Sequence, residues 1–404
     1  MSNLIPTNQI SASSLPKDFL WGAATAAHQI EGGDIDTNWI RAEKAGKIKN
    51  GDTTLTAVDG YNLAFSDIKL IKDLGLNSYR FSIEWVRVEP KKGNFNQEAL
   101  DHYRKLILDL KANGIEPIVT LHHFTNPGWV IDQNGWLNKE TIANYLSYVE
   151  KVVKENPEVT YWLTINEPNK FLSDEYLEGI IPPYRHNLYL YVKAFNNVMD
   201  AHNQAYRLIH GINNDTKVSL AYYYSDIVPK RNNFIDQKIA DFGNWVMNWL
   251  WTDKAKDTMD FVGVNYYKRH YVGLGWPIGN QYFKFKNESD YPGFNLQPEG
   301  LEDIILKVNA RYKRPIMITE DGLADAKDAK RTEFINNSIE KIKSARDKGA
   351  NVIGYLHWSL MDNFEWLEGY SMKFGLYEVN MKTFERKPRE SALFYRDLIK
   401  ENQR

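Results

Sequence analysis

Two short apolar runs in this chain end on carboxylates. "VTYWLTINEP" (159–168) delivers Asn166, Glu167 and Pro168, and "RPIMITEDGL" (314–323) delivers Glu320, Asp321 and a turn glycine. Runs this rich in β-branched and aromatic residues read as buried strands, so each sets a glutamate at a C-terminal strand tip. A lone glutamate after a strand is ordinarily a solvated rim charge or a helix cap. Two of them, flanked by amides and aromatic rings, can divide the work of cleaving a glycosidic bond. One, ionised, attacks the anomeric carbon; the other, protonated, releases the departing oxygen. Like-charge repulsion in a partly dry pocket raises one pKa, while a nearby cation or hydrogen bond keeps the other low. Arg80, in "NSYRFSI" (77–83), is the expected cation. Pro168 is expected to hold Glu167 extended and to block helix initiation there. Asp321 and Gly322 are expected to end the other strand as a turn.

These tips need a frame that gathers them. Apolar runs of strand length recur at 18–26, 77–83, 116–123, 159–167, 217–225, 260–267, 314–320 and 351–360. Each is apolar nearly throughout, as a strand buried on both faces should be. Helical stripes lie between them: Ile68, Ile71 and Leu74; Leu100, Tyr103, Leu106 and Leu110; Ile335, Ile339, Ile342 and Ala345. Each stripe ends near a glycine that can stop a helix. Strand and helix alternating at this cadence predict an α/β protein, a (β/α)₈ TIM barrel folded as a single domain over 1–404. No Gly-x-Gly-x-x-Gly follows a strand, which weighs against a dinucleotide-binding sheet. In such barrels chemistry sits at the C-terminal strand ends, and Arg80, His122, His123, Asn265, Tyr267, Trp358 and Glu365 fall at or near those ends.

Composition removes several alternatives. The 404 residues carry 50 basic and 52 acidic side chains, a formal net charge of −2, which gives no electrostatic reason to expect a nucleic-acid or anionic-membrane partner. Cysteine is absent, so disulfides and thiolate chemistry are excluded. The first twenty residues lack the basic start and apolar core of a leader, and no apolar run is long enough to span a bilayer. A cytoplasmic protein is the expectation. The 24 Tyr, 18 Phe and 12 Trp supply core, and some of these rings can also stack on the C–H face of a sugar. The adjacent His122 and His123 do not read as metal ligands, since neighbouring strand residues point to opposite faces.

"TINEP" and "ITEDG" resemble the two signature motifs of glycoside hydrolase family 1, the β-glucosidase family. The likeness extends to "LPKDFLWGAATAAHQIEG", "YRFSIEWVRVEP", "TLHHFTNP", "GVNYY" and "HWSLMDNFEWLEGYSMKFGLYEV", and so covers nearly the whole chain. The resemblance implies a retaining β-glycosidase, acting without metal or organic cofactor on small-molecule β-glycosides or short oligosaccharides. It implies Glu167 as acid/base and Glu320 as nucleophile, with Arg80 and Tyr267 holding Glu320 ionised. It also implies that Gln29, His123, Asn166 and Glu365 bond the non-reducing sugar, that Trp358 floors it with Trp366 beside, and that Asn265 borders the acid/base. A cis peptide at Trp358–Ser359 is a further family feature.

Some positions depart from the family pattern. The segment between Ser225 and Asp260 and the loop before Gly300, which help shape the leaving-group rim, look abbreviated, so the sequence does not settle leaving-group preference. Phe124 stands where the family commonly has Trp, and Asp321 where it commonly has Asn. Glu365 followed by Trp366 resembles members acting on unphosphorylated sugars. A 6-phospho-β-glycosidase is the alternative, with Lys373 the cation close by in sequence. Further alternatives are a non-catalytic sugar-binding barrel and a Schiff-base aldolase using Lys268. Glucose, galactose or fucose preference and oligomeric state are left open by the sequence.

Overall fold

The computed structural model describes residues 15–275 and 297–403. The first fourteen residues, part of the stretch read for a leader, and most of the abbreviated loop before Gly300 lie outside the described residues. All eight expected strands are present: β1 (Leu20–Ala24), β2 (Ser78–Ser82), β3 (Glu116–Thr120), β4 (Tyr161–Asn166), β5 (Lys217–Pro229), β6 (Val262–Val272), β7 (Ile316–Asp321) and β8 (Val352–Trp358). They pair in parallel in chain order, and β8 closes on β1 from Leu20↔Gly354 to Ala24↔Trp358.

The strands are apolar throughout because both faces are covered. Ile118, Leu163, Ala221, Met317 and Leu356 are fully buried in one cluster, while Val119, Trp162 and Val264 belong to the larger cluster shared with the helices. Each of the Val, Ile, Leu and Met side chains among them contributes about 1.5–3 kcal/mol on burial. The predicted stripes are the buried faces of helices Gly60–Asp73, Gln97–Ala112 and Arg331–Asp347. Gly75 takes the left-handed conformation (φ +66°) that ends the first of them and turns the chain into β2.

β5 and β6 outrun their expected lengths. Their pairing continues to Pro229↔Val272 after a register shift at the barrel mouth. The extension is held by Asp226, buried and paired with Arg269 (2.5 Å) and Lys307 (2.7 Å). The segment 225–260, read as a shortened connection, holds the β5 arm of this ribbon, a helix (Phe234–Asn244) and a π-helical turn (Trp245–Trp249). Asn233 caps that helix, and Asn248 clamps Ser225 through both the backbone N–H (3.0 Å) and carbonyl (2.8 Å).

Beyond β8 the chain makes a loop and a small antiparallel pair, β9 (Tyr377–Val379) with β10 (Arg386–Pro388). Arg389 grips Asp362 through two bonds of 2.9 and 2.8 Å, fixing the loop that carries Glu365 and Trp366. The final helix, Glu390–Asn402, is tied to β1 by Tyr395, whose hydroxyl donates to the Gly22 carbonyl (3.1 Å). Among the described residues no helix is long and apolar enough to cross a membrane.

Candidate active site

Glu167 follows directly on β4, and here the backbone differs from the expectation. It is left-handed (φ 42°, ψ 56°), not extended, and Pro168 opens the helix Pro168–Tyr176 instead of blocking one. Proline suits a first helical position, where its missing N–H has no partner to lose. A left-handed glutamate costs on the order of 1–3 kcal/mol and persists only where its surroundings hold it. The Glu167 N–H is held by the Ala221 carbonyl (2.7 Å). Glu320 lies inside β7, with Asp321 still in the strand. Gly322 then passes so close to the Trp358 carbonyl that a Cβ would sit 2.0 Å from its oxygen, so glycine is required there.

The two carboxyls have unequal partners. Arg80 points into the barrel from the middle of β2, flanked by Tyr79 and Phe81, which stack on each other (5.6 Å) in the outer core. Its guanidinium is fully buried and donates to Glu320 Oε1 (2.6 Å), the Thr319 carbonyl (3.0 Å), Asn166 Oδ1 (2.7 Å) and Thr120 Oγ1 (3.1 Å). Tyr267 donates its hydroxyl to Glu320 Oε2 (2.7 Å). Glu167 Oε1 accepts the Asn265 amide (2.8 Å), and Asn265 is oriented by Thr319, which donates to its Oδ1 (2.6 Å).

Burial pushes both carboxyls above their ordinary range. At Glu320 that push is opposed by the Arg80 charge and the Tyr267 hydroxyl. At Glu167 the Glu320 charge adds to burial, and the Asn265 amide opposes it only in part, leaving the group at about 8. The expectation that the cation holds Glu320 low in absolute terms is corrected: the two groups are separated by their partners while burial lifts both.

Asn166 receives both Arg80 and Asn265 (3.1 Å) on Oδ1, which fixes its Nδ2 toward His123 Nε2 (3.1 Å). His123 therefore accepts at Nε2 and carries its proton on Nδ1. Burial first, and then the Arg80 charge, hold its pKa well below the ordinary range, so the ring is neutral. Its Nδ1 is buried without a hydrogen-bond partner, as is Gln29 Oε1: a spare donor and a spare acceptor. The Gln29 amide donates to the Phe364 carbonyl (2.7 Å), Asn363 (3.0 Å) and Glu365 (3.5 Å). The two histidines lie past the end of β3, so strand alternation does not separate them as expected. His122 turns away to bond Asn126 (3.1 Å) against Trp136 and Phe171.

A cavity of about 170 Å³ opens between these groups, bordered by His123, Asn166, Glu167, Tyr267, Glu320 and Glu365, with Trp358 and Trp366 as aromatic walls. That is room for a small ligand, since a cavity of about 10–15 Å³ on the same measure holds one water. The Trp358 ring lies 5.9 Å from His123, and the peptide to Ser359 is cis. Trp366 is packed by His28, stacked at 5.7 Å, and by Trp39 at 4.7 Å. Gln29, Arg80 and Asn265 stand behind the lining and act on it through hydrogen bonds. Asp321 faces away, bonded by Ser338 (2.7 Å) and Tyr355 (3.1 Å), with burial pushing it to about 7. Lys268 and Lys373 do not line the cavity.

Sequence reasoning missed Trp39, Lys170, Phe171, Asp174, Ile180, Ile181, Tyr223, Leu367, Glu368 and Phe374, which also border the cavity. Lys170 and Phe171 lie three and four residues after Glu167, one turn along its helix. That signal was legible once Pro168 is read as a helix start.

A parallel barrel whose mouth sets a cation-supported carboxylate and an amide-bonded one around a single cavity has the parts of a carboxylate-pair hydrolase. The sequence pattern of glycosyl hydrolase family 1 matches residues 11–255 and 251–404. Curated relatives include β-glucosidase A of Thermotoga maritima, 32% identical over 97% of this chain and 99% of its own length. β-Glucosidase A of Acetivibrio thermocellus is 31% identical over 97% and 100%. Among solved structures, a β-glycosidase from Pyrococcus horikoshii superposes with a TM-score of 0.88 at 34% identity, covering 96% of this chain and 95% of that one. The Thermotoga maritima β-glucosidase in complex with glucoimidazole gives 0.89 at 29%, covering 96% and 99%. The chain belongs to glycosyl hydrolase family 1 and is a glycoside hydrolase.

Proposed function

We propose that the protein is a retaining β-glucosidase in which Glu320 is the nucleophile and Glu167 the acid/base. The observation that carries the assignment is the inequality of the pair: Glu320 is bonded by a buried guanidinium and a phenol, and Glu167 by a single amide. Glu320, ionised, attacks the anomeric carbon, and Glu167 gives its proton to the departing oxygen. Esterification removes the Glu320 charge and with it one of the two causes that raise Glu167, which then accepts a proton from the attacking water. Retention requires the two carboxyls to lie about 5–5.5 Å apart.

The spare donor on His123 and the Asn166 and Glu365 side chains are the groups proposed to bind the sugar, against Trp358 and Trp366, with Gln29 acting from behind through its bond to Glu365. Glucose is proposed as the sugar on the strength of the relatives' activities. The phosphorylated alternative finds less support, since the cation bordering the cavity, Lys170, is paired with Asp174. We further propose that the chain folds as one unit over 1–404 and works in the cytoplasm, a compartment that suits a chain without cysteine. Assay of nitrophenyl β-glucoside, β-galactoside, β-fucoside and 6-phospho-β-glucoside tests the reading. Glucoside turnover is expected; faster turnover of the phosphorylated sugar, or binding without turnover, would overturn it.

A further inference from the structure

Trp366 holds a backbone conformation that a tryptophan does not take on its own. It is left-handed (φ 51°), which for a bulky residue persists only where the surroundings hold it. Part of that hold comes from the short helix after β1. Gln29 bonds the Phe364 carbonyl (2.7 Å), and the buried residue before it, His28, makes two ring contacts with the same loop. Its imidazole is nearly parallel to the Trp366 indole (5.7 Å between centroids, 6° between planes) and edge-on to Phe364 (6.0 Å, 80°). His28 thus grips the aromatic residues on either side of Glu365.

The contacts continue inward. His123 is nearly parallel to Trp366 (6.1 Å, 16°) and to Trp358 (5.9 Å, 23°), and these three rings border the cavity while His28 does not. At the edge of the imidazole, Nε2 stands 3.3 Å from Glu43 Oε1. Glu43 is itself fixed by Thr54, whose hydroxyl (2.7 Å) and N–H (2.9 Å) donate to its two oxygens. Nε2 has no hydrogen-bond partner, so this polar approach is loose beside the ring contacts.

Resting on the glucosidase reading above, we propose that His28 is a positioning residue. Its flat ring, and not its approach to Glu43, sets Trp366 and Glu365 for the sugar without touching the sugar itself. Without the ring, that loop keeps freedom that a bound sugar must then remove, which weakens the sugar in the ground state and the transition state alike.

The test is a set of variants at His28, read by KM for nitrophenyl β-glucoside and the inhibition constant for glucose. Neither constant changes when a destabilising substitution merely lowers the folded fraction. His28→Ala should raise both by about three- to tenfold, the loss of one aromatic pair. Its kcat, taken per active site titrated with a fluorinated glucoside, should stay within about threefold, as for lost uniform binding. His28→Gln, which keeps a polar group toward Glu43 without a ring, should behave as His28→Ala. His28→Phe, which keeps a flat ring and gives up the polar approach, should return both constants to within about twofold of the parent. If His28→Ala does not fold, the Phe and Gln variants decide by themselves. Parent-like constants in His28→Ala, His28→Phe no better than His28→Gln, or a fall in kcat at unchanged KM would overturn the proposal and leave the glucosidase reading intact. Failure of the parent to cleave the glucoside would instead overturn the reading on which it rests.

Discussion

The two ends of one cavity are made by different means. At the end proposed to hold the sugar, polar side chains come from strand tips and from the loop after β8, and almost every polar atom is tied to another: Arg80 to Glu320 and Asn166, Asn166 to His123, Asn265 to Glu167. At the end beside the helix that follows Glu167, side chains come from that short helix and the loop after it: Phe171, Ile180 and Ile181, together with the Lys170–Asp174 ion pair. Preorganised donors stabilise charge that develops in the reaction. Contacts away from the reacting bond add affinity that the transition state and ground state share. Changes at the first end should therefore reduce turnover of every substrate, and changes at the second should matter only as far as the substrate reaches it.

The largest expected effect that sharpens this contrast is Glu320→Gln, which should lower kcat/KM on the order of 10⁴-fold or more for all glucosides, alkyl or nitrophenyl. Glu167→Gln should separate substrates. Alkyl glucosides, whose alkoxide needs the proton, should lose about 10²–10⁴-fold. 2,4-Dinitrophenyl glucoside, whose leaving group needs none, should lose little in the first step. Equal losses for both would break the assignment of Glu167 as proton donor.

Tyr267→Phe removes one donor to an ionised carboxylate, worth about 1.5–3 kcal/mol, so a loss of roughly 10- to 100-fold in kcat/KM is expected. It should also move the acidic limb of the pH profile upward, because the Tyr267 hydroxyl opposes the rise of the Glu320 pKa. The alkaline limb should follow Glu167, with activity falling as pH rises through about 8.

The same group makes a stability prediction. Its folded pKa lies above the ordinary 4.5, so the folded state keeps a proton that the unfolded chain has released. That contribution is complete below about pH 4.5 and is lost as pH rises toward about 8. The melting temperature of Glu167→Gln should gain on the parent across that window. The smallest effect is expected at Asp321→Asn: its side chain faces Ser338 and Tyr355, away from the cavity, so kcat/KM should stay within about threefold.

Much of this could be read from the chain, for reasons particular to each element. The strands were legible because both faces of each are buried, leaving unbroken apolar runs, and three helices because one stripe of each is. The pair Glu167 and Glu320 was legible because strands deliver residues to a mouth in a fixed way, and Arg80 because a lone cation in an apolar strand needs a partner. The helix after Glu167 was not, because a proline that disfavours right-handed helix at the preceding residue is equally good as a first helical residue. With it went Lys170, Phe171 and Asp174. Trp39 comes from the long connection after β1 and carries no local signal. The β5 extension and the helix within 225–260 depend on distant partners, among them Lys307 for Asp226.

The division of labour between the two carboxyls is tested most directly by azide rescue of the two alanine variants with an activated glucoside. With Glu320→Ala, azide should enter from the face the nucleophile occupied and yield the α-glucosyl azide. With Glu167→Ala it should capture the glycosyl-enzyme and yield the β product. The opposite pairing, or one azide anomer from both variants, would contradict the account.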